Sequence, residues 1–296
     1  MYERIGNCPI CGSDQFTNLM ICQDYTVTQE SFAIVECKKC RFKLTNPRPT
    51  QENAGRYYQS EAYISHSNTT RGIVNQLYHF ARKFTLQKKL KLINSLGSEK
   101  KRLLDVGCGT GTFLEVCQKS GWNVNGTEPD AKARGLAHTR VKSQVEENLL
   151  SAFPGETFET ITLWHVLEHI HQLDESVKKL KKLLTSNGTL LVAVPNCESY
   201  DAKLYREKWA AYDVPRHLYH FSPDTVRALF LKHRLIIQKI IPMELDAYYI
   251  SLLSSRYRDG KTDYWQAFRN GRASNQWAEE NGNNYSSLIY LIKSKA

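Results

Sequence analysis

Leu103-Leu104-Asp105-Val106-Gly107-Cys108-Gly109-Thr110-Gly111-Thr112 joins a short apolar run, an acid and three glycines at alternate positions. A helix-like segment, Phe113 to Ser120, follows at once. A strand that stops in a glycine-rich turn at a helix N-terminus lets a ligand lie against bare backbone. The glycine spacing is G-x-G-x-G, not the G-x-G-x-x-G of dinucleotide binders, and the acid stands two positions before the first glycine.

Outward from this stretch the text alternates between strand and helix. Strands are expected at 102–106, 122–127, 159–164, 188–194, 234–241 and 286–293, with a short one near Lys142 to Val145. Helices are expected at 111–120, 130–138, 174–184 and 222–232. Such alternation implies an α/β fold, a parallel sheet with right-handed crossovers. Residues 243–284, rich in Tyr, Trp and Phe, then form an insertion before the last strand. Upstream, Leu77, Phe80, Ala81, Phe84, Leu90, Ile93 and Leu96 recur at helical intervals, which predicts a helix over Gln76 to Leu96.

The second strand runs into Glu128-Pro129-Asp130, 17 residues after Gly111. An acid at this place accepts the two hydroxyls of a ribose, while Asp130 caps the next helix. Together, Asp105, the glycines and Glu128 resemble motif I and its partner acid in the class I S-adenosylmethionine (SAM) methyltransferases. Phe158 to His169 resembles the fourth strand and its exit in the ubiquinone-biosynthesis-like group, F-D-x-I followed by x-x-V-L-E-H, with Glu159 in place of the Asp. The resemblance implies a Rossmann-like seven-stranded sheet with helices on both faces. It implies a SAM site bordered by Asp105, Gly107, Cys108, Gly109, Gly111, Glu128, Pro129, Trp164, His165 and Val166, with a residue of Val145–Leu149 near adenine. His165, Glu168 and His169 also have a helical spacing that suits a metal, with His171 close by; the plainer reading is that they fix the chain as it turns.

On the acceptor side, Asp213 to Ser222 resembles the P-R-H-L-x-x-F-S segment of the same group. Methyl transfer is an in-line displacement that commonly needs a base. The expected base is His217, then His220, then His165; the plainer reading of His220 and Ser222 is a helix cap at Pro223. Arg216 is expected to hold an acidic group of the substrate or to pair with Asp213. Tyr57, Tyr58 and Tyr63 are expected to fold over the site, with Tyr57 and Tyr63 touching substrate, and Arg71 is a weaker candidate for the SAM carboxylate.

Cys8-Pro9-Ile10-Cys11 and Cys37-Lys38-Lys39-Cys40 form two C-x-x-C pairs 25 residues apart. Two such turns give the tetrahedral sulfur shell that zinc prefers, so a structural zinc ribbon is expected, with disulfide or redox chemistry as the alternative. The expected organisation is a ribbon at 1–45, a helical linker or lid at 46–99 and a methyltransferase domain at 100–296. Hydrophobic residues make up 41% of the 296-residue chain and charged ones 24%, the balance of a globular protein. No apolar run approaches a membrane span and no signal peptide is seen, so the default location is cytoplasmic. The net charge of +10 suits an anionic substrate or nucleic acid, and the basic cluster at 178–182 lies on the outer face of an amphipathic helix. These features give a SAM-dependent methyltransferase acting on a small-molecule or sugar acceptor. The rivals are an RNA methyltransferase that uses the ribbon for RNA and a non-catalytic SAM-binding interaction protein.

Overall fold

The computed structural model describes residues 1–59 and 73–295, with side chains of the first long helix described from Phe84 onward. Tyr63 and Arg71 fall outside the described residues.

The glycine stretch sits at the centre of a seven-stranded sheet. In chain order its strands are β6 (Arg102–Val106), β7 (Asn123–Thr127), β8 (Val145–Glu146), β9 (Phe158–Trp164), β10 (Leu184–Pro195), β12 (Leu235–Pro242) and β13 (Ser287–Ser294). They lie in the order β12-β13-β10-β9-β6-β7-β8. β13 runs antiparallel to both of its neighbours, and the other pairs are parallel. The long helix α1 (Ile73–Asn94) precedes the sheet, and α2 (Thr112–Lys119), α3 (Ala131–Val141), α4 (Leu173–Leu183) and α6 (Pro223–Lys232) are the crossovers. Leu103, Leu104, Ile161, Leu163, Leu190 and Val192 are fully buried, as strands covered on both faces require. The strand order reverses between β6 and β9, which opens a crevice at their carboxyl ends.

Helix ends follow local chemistry. Asp130 accepts from Ala133 N–H at 2.8 Å to start α3. Ser222 accepts from Thr225 N–H, and the Thr225 hydroxyl accepts from Ser222 N–H, a capping box that starts α6 at Pro223.

The 243–284 insertion folds as two helices, α7 (Asp246–Asp259) and α8 (Tyr264–Glu280). They cross at Gly271, where a Cβ would stand 2.8 Å from Tyr248 Cα. Buried Asp201, on the short α5 (Tyr200–Tyr205), ties this pair down by accepting from Trp209 Nε1 (2.8 Å), Ser274 Oγ (2.9 Å) and Ser286 Oγ (2.6 Å).

The N-terminal segment forms β1 (Tyr2–Glu3), β2 (Phe16–Gln23), β3 (Ser31–Cys37), β4 (Lys43–Thr45) and β5 (Arg48–Pro49). Its sheet has the order β11-β4-β3-β2, and β11 (Tyr219–His220) comes from the acceptor-side loop. Phe42 lies against the Tyr219 and Phe221 rings at 5.7 Å and 5.4 Å, so the two parts share one apolar core.

Arg216 locks this junction. Its guanidinium, 1% exposed, donates to Asp213 (2.9 and 2.6 Å), to fully buried Asp24 (3.0 Å) and to Tyr57 O (2.8 Å). Asp24 also accepts from the backbone of Thr26, Val27 and Thr28. Removing one partner of a buried pair strands the other charge away from water. Asp24→Ala is therefore expected to lower stability by about 3–5 kcal/mol in urea unfolding followed by circular dichroism. A loss below about 1 kcal/mol, the size of a surface pair, would show that the junction does not hold the fold together.

Candidate functional site

The glycine loop is built for close approach. Gly107, Gly109 and Gly111 all have positive φ, at 68°, 56° and 73°. A Cβ on Gly107 would stand 2.6 Å from Val166 Cγ2, and one on Gly111 3.0 Å from Ala137. A Cβ on Gly109 would meet nothing within 4 Å, so this glycine faces the crevice. Gly107 and Cys108 N–H both donate to Thr127 O, at 2.8 and 3.0 Å, which ties the loop to the end of β7. The Cys108 sulfur packs towards Gly126, where a Cβ would lie 2.8 Å from it, and burial pushes its thiol pKa up. It is a packing residue in the loop and not a reactive thiolate.

Glu128 crosses the mouth of the loop. Its Oε2 accepts from Gly109 N–H at 2.8 Å and its Oε1 from Asp130 N–H at 3.0 Å. A carboxylate offers about four lone-pair positions, so two remain for a ligand's hydroxyls. Behind it, the carbonyls of Glu128 and Pro129 accept from Arg134 at 2.7 and 2.9 Å.

Asp105, at the end of β6, is 3% exposed and accepts from the Thr162 hydroxyl at 2.6 Å. Burial lifts its pKa to about 7, against which the Thr162 bond and Lys89 act only in part. Lys89, on α1, lies 4.3 Å from the Trp164 ring centroid and 5.9 Å from that of Phe113. Burial pulls its pKa to about 8, opposed by Asp105 and Asp246. Lys89 is the basic residue that sequence reasoning missed, since nothing in the periodicity of α1 marks which lysine faces inward.

The expected bases part company. His165 has a φ of 57°, and its ring lies between Asp246 Oδ2 (3.1 Å from Nε2) and Glu168 Oε1 (3.4 Å from Nδ1). Burial disfavours the charged ring, but the two carboxylates outweigh it and bring the pKa to about 9. At neutral pH His165 already carries its proton, so it is not a free base. His220 is 4% exposed and bonded through Nε2 to the Thr45 hydroxyl at 3.1 Å. Burial holds it neutral well below its usual range, and it serves the β4–β11 junction. His217 is 9% exposed; its Nδ1 lies 2.8 Å from Ala211 O, while Nε2 has only Asp213 Oδ2 at 4.0 Å. A carbonyl can only accept, so Nδ1 carries the hydrogen and Nε2 the lone pair.

Two expected substrate residues are committed elsewhere. The Arg216 guanidinium is enclosed by its ion pairs and offers no open face for an acidic substrate; of the two readings of Arg216, the pair with Asp213 is the one present. Tyr57 is 1% exposed, with its hydroxyl on Glu30 (2.7 Å), Tyr2 (3.1 Å) and Arg56, so it packs the junction and does not reach an acceptor. Tyr58 reaches inward instead, its hydroxyl 3.0 Å from His169 Nδ1.

The four paired cysteines converge. Cys8 and Cys40 sulfurs lie 3.5 Å apart, as do those of Cys11 and Cys37, and all four fall within 4.8 Å of one another. Tetrahedral zinc with Zn–S bonds of about 2.3 Å places its sulfurs about 3.8 Å apart, whereas a disulfide needs about 2.05 Å. Both turns have the same form: Gly12 N–H donates to Cys8 O and Arg41 N–H to Cys37 O, each at 2.8 Å and each with positive φ.

The crevice predicts its own pH response. The Asp105 carboxyl without ligand ionises near pH 7, and an ammonium group bound against it needs the charged form. Below pH 7 each binding event must also remove a proton, so affinity falls by up to about tenfold per pH unit. Between pH 6 and 7, where Lys89 keeps its charge, SAM binding by calorimetry is expected to be about fivefold weaker at the lower pH, and this slope is expected to vanish in Asp105→Asn.

Comparison with known proteins agrees with this geometry. The family model described as a methyltransferase domain matches residues 77–234. The ubiquinone biosynthesis O-methyltransferase of Rhizobium leguminosarum is 31% identical over 104 residues, 32% of this chain and 40% of that one. Its counterpart in Bradyrhizobium diazoefficiens is 26% identical over 172 residues, 53% of this chain and 65% of that one. The chain thus spans about 40% of the length of the first of these curated relatives. Magnesium protoporphyrin IX methyltransferase from Synechocystis PCC 6803, solved with bound SAH, shares the fold with a TM-score of 0.54 at 13% identity, over 82% of this chain and 100% of that one. The chain belongs to the methyltransferase-domain family, and its fold is shared with a methyltransferase solved with bound SAH.

Proposed function

We propose that this protein transfers the methyl group of SAM to a hydroxyl of a polar small molecule, of which a sugar is the first choice. The observation that carries the reading is Glu128, whose carboxylate is fixed by Gly109 and Asp130 N–H with two lone-pair positions left for the ribose hydroxyls of SAM. Asp105 faces the ammonium of the methionine tail, and Lys89 supplies the cation for its carboxylate. Gly109 leaves room for the tail against the backbone. The acceptor lies beyond the carboxyl ends of β9 and β10, against His169, Glu168 and His217. This wall is polar and ionisable, which suits a hydroxylated acceptor better than a quinone ring. Of the three expected bases, His217 alone keeps an uncommitted Nε2, and the acceptor's proton leaves towards it as the acceptor oxygen takes the methyl from sulfur. The names of the ubiquinone biosynthesis relatives support O-methylation. No helix among the described residues is long and apolar enough to cross a membrane.

The four-cysteine cluster takes a structural zinc in this reading. Its closed sulfur shell leaves no open position for substrate, and it holds the sheet that ends in β11.

Methyl-labelled SAM incubated with a fractionated extract is expected to place label in the small-molecule fraction. Label confined to RNA or protein would overturn the acceptor class. Glu128→Ala is expected to weaken SAM binding at least tenfold in calorimetry; an unchanged affinity would remove the carrying observation. For the ribbon, elemental analysis is expected to find zinc in the purified chain, with one equivalent lost in Cys37→Ser. Equal zinc in both would place that metal elsewhere.

A further inference from the structure

Glu168 is 0% exposed, and among the described residues neither its Oε1 nor its Oε2 makes a hydrogen bond. Its nearest cation, His165, stands 3.4 Å away and shares itself with Asp246. A carboxylate shut away from water without partners is strongly unfavourable, so something else should complete it. Two imidazoles adjoin it. His169 Nδ1 lies 3.0 Å from both Arg216 O and Tyr58 Oη, the carbonyl accepting from it and the hydroxyl able to accept as well, and His217 Nδ1 lies 2.8 Å from Ala211 O. Both carbonyls can only accept, so in each ring Nδ1 carries the hydrogen and Nε2 keeps its lone pair. A ring anchored to a backbone carbonyl through one nitrogen, with the other free, is the usual arrangement of a metal-binding histidine.

We infer that Glu168, His169 and His217 bind a borderline divalent metal ion of the first transition row, such as zinc or iron(II), at the acceptor end of the crevice. One ligand atom from each of these three residues, a carboxylate oxygen or a ring nitrogen, lies within 4.8 Å of the other two. Atoms so placed are no further than about 2.8 Å from a common point, and bonds of about 2.0–2.2 Å require each to move by less than about 1 Å. Two neutral imidazoles and one carboxylate suit a borderline ion better than magnesium or calcium, which favour oxygen ligands. Three protein ligands leave a position open, as catalytic sites do and the four-cysteine cluster does not.

The ligand set differs from the one that spacing suggests. His165 is drawn off by Asp246, and His171 Nε2 is turned to Pro49 O at 3.0 Å. The third ligand comes from the acceptor loop, 48 residues beyond His169. This inference rests on the proposed methyl transfer for its purpose and refines the part given to His217. A ligated Nε2 has no lone pair left for a proton; the ion, by holding the acceptor oxygen, would make its hydroxyl acidic enough to lose the proton to water, and that oxygen would then take the methyl as the C–S bond of SAM breaks to leave the thioether, so His217 acts through the metal.

The test is cobalt(II) titrated into the full chain after dialysis against a chelator, followed by calorimetry and visible absorption. Cobalt at the cysteine site announces itself by a thiolate charge-transfer band, so the two sites are read separately. The expected result is one further cobalt per chain without that band, bound more than tenfold more weakly by Glu168→Gln and by His217→Ala and unchanged in His171→Ala. A wild-type chain that takes up no such cobalt, or a Glu168→Gln chain that binds it equally, overturns the site. SAM affinity measured on each variant checks that the crevice is intact; if Glu168→Gln loses it, His169→Asn takes its place and the same loss of cobalt is expected. Cobalt binding needs no turnover. A chain that binds cobalt but transfers no methyl group fails the proposed function and leaves the metal site standing, and the reverse result does the opposite.

Discussion

The buried Arg216 guanidinium is the constraint around which the acceptor side is assembled. It pulls Asp24 of the N-terminal segment and Asp213 of the acceptor loop onto one charge, and its other nitrogen holds the Tyr57 carbonyl. Its own carbonyl faces His169 Nδ1, so the residue that locks the junction also sets the tautomer of a ring in the crevice. His217 follows Arg216 directly, and its N–H donates to Asp213 O at 3.0 Å. Moving the guanidinium would move both histidines. A buried ion cluster of this kind is weak evidence for net stability, because desolvating three charges offsets much of their attraction. Its stronger effect is geometric: Arg216 donates in a fixed planar fork, and only one arrangement of the loop satisfies every nitrogen.

The donor side is governed by a different balance. Asp105, Glu128, Glu168 and Asp246 are acids at the mouth of one crevice, against Lys89 and the protonated His165. Burial raises the Asp105 pKa to about 7 in this crevice, and a cation held against it would favour the charged form. The loop itself contributes shape more than charge. Gly107 and Gly111 are glycines because Val166 and Ala137 stand where a Cβ would go, while the positive φ of Gly109 favours glycine by itself.

How much of this could be read in the sequence depended on whether the determining contacts are local. The strands of the main sheet and its crossover helices fall within a few residues of their expected bounds, because the apolar residues that burial demands, as at residues 103–106 and 190–194, mark most of them locally. The convergence of the four cysteines was legible for the same reason: two C-x-x-C turns can each present two sulfurs whatever lies between. What was not legible is what crosses long separations. That β11 joins the ribbon's sheet rests on the pairing of Tyr219 and His220 with Leu44 and Lys43, and a two-residue strand carries no period. The sequence leaves two readings of Arg216, a substrate contact or a pair with Asp213, because an exposed and a buried arginine look alike until the partners, here Asp213 and Asp24, are brought to it. Asp246 belongs to an insertion whose composition marks it only as aromatic, yet its carboxylate settles the charge of His165.

These separations also explain why a ribbon is fused to this enzyme fold. The two cysteine turns fix the end of β3, and Cys37, Phe42 and Leu44 pack into the same core as Tyr219 and Phe221. From there the strand pair β4–β11 carries the constraint to Thr45, whose hydroxyl donates to His217 O at 2.8 Å. The ribbon is thus the outer support of the acceptor loop. A cofactor crevice formed by parallel strands needs no such help, since the sheet fixes Asp105 and Glu128 by itself. The acceptor loop has no sheet of its own: it leaves β10, makes short 3-10 turns and returns at α6. The ribbon lends it an edge, so that His217 is held from its backbone on one side and from Ala211 on the other. Methyl transfer demands alignment of acceptor, methyl and sulfur to within a fraction of an ångström, and a loop borne on the edge of a sheet can meet that demand where a free loop could not.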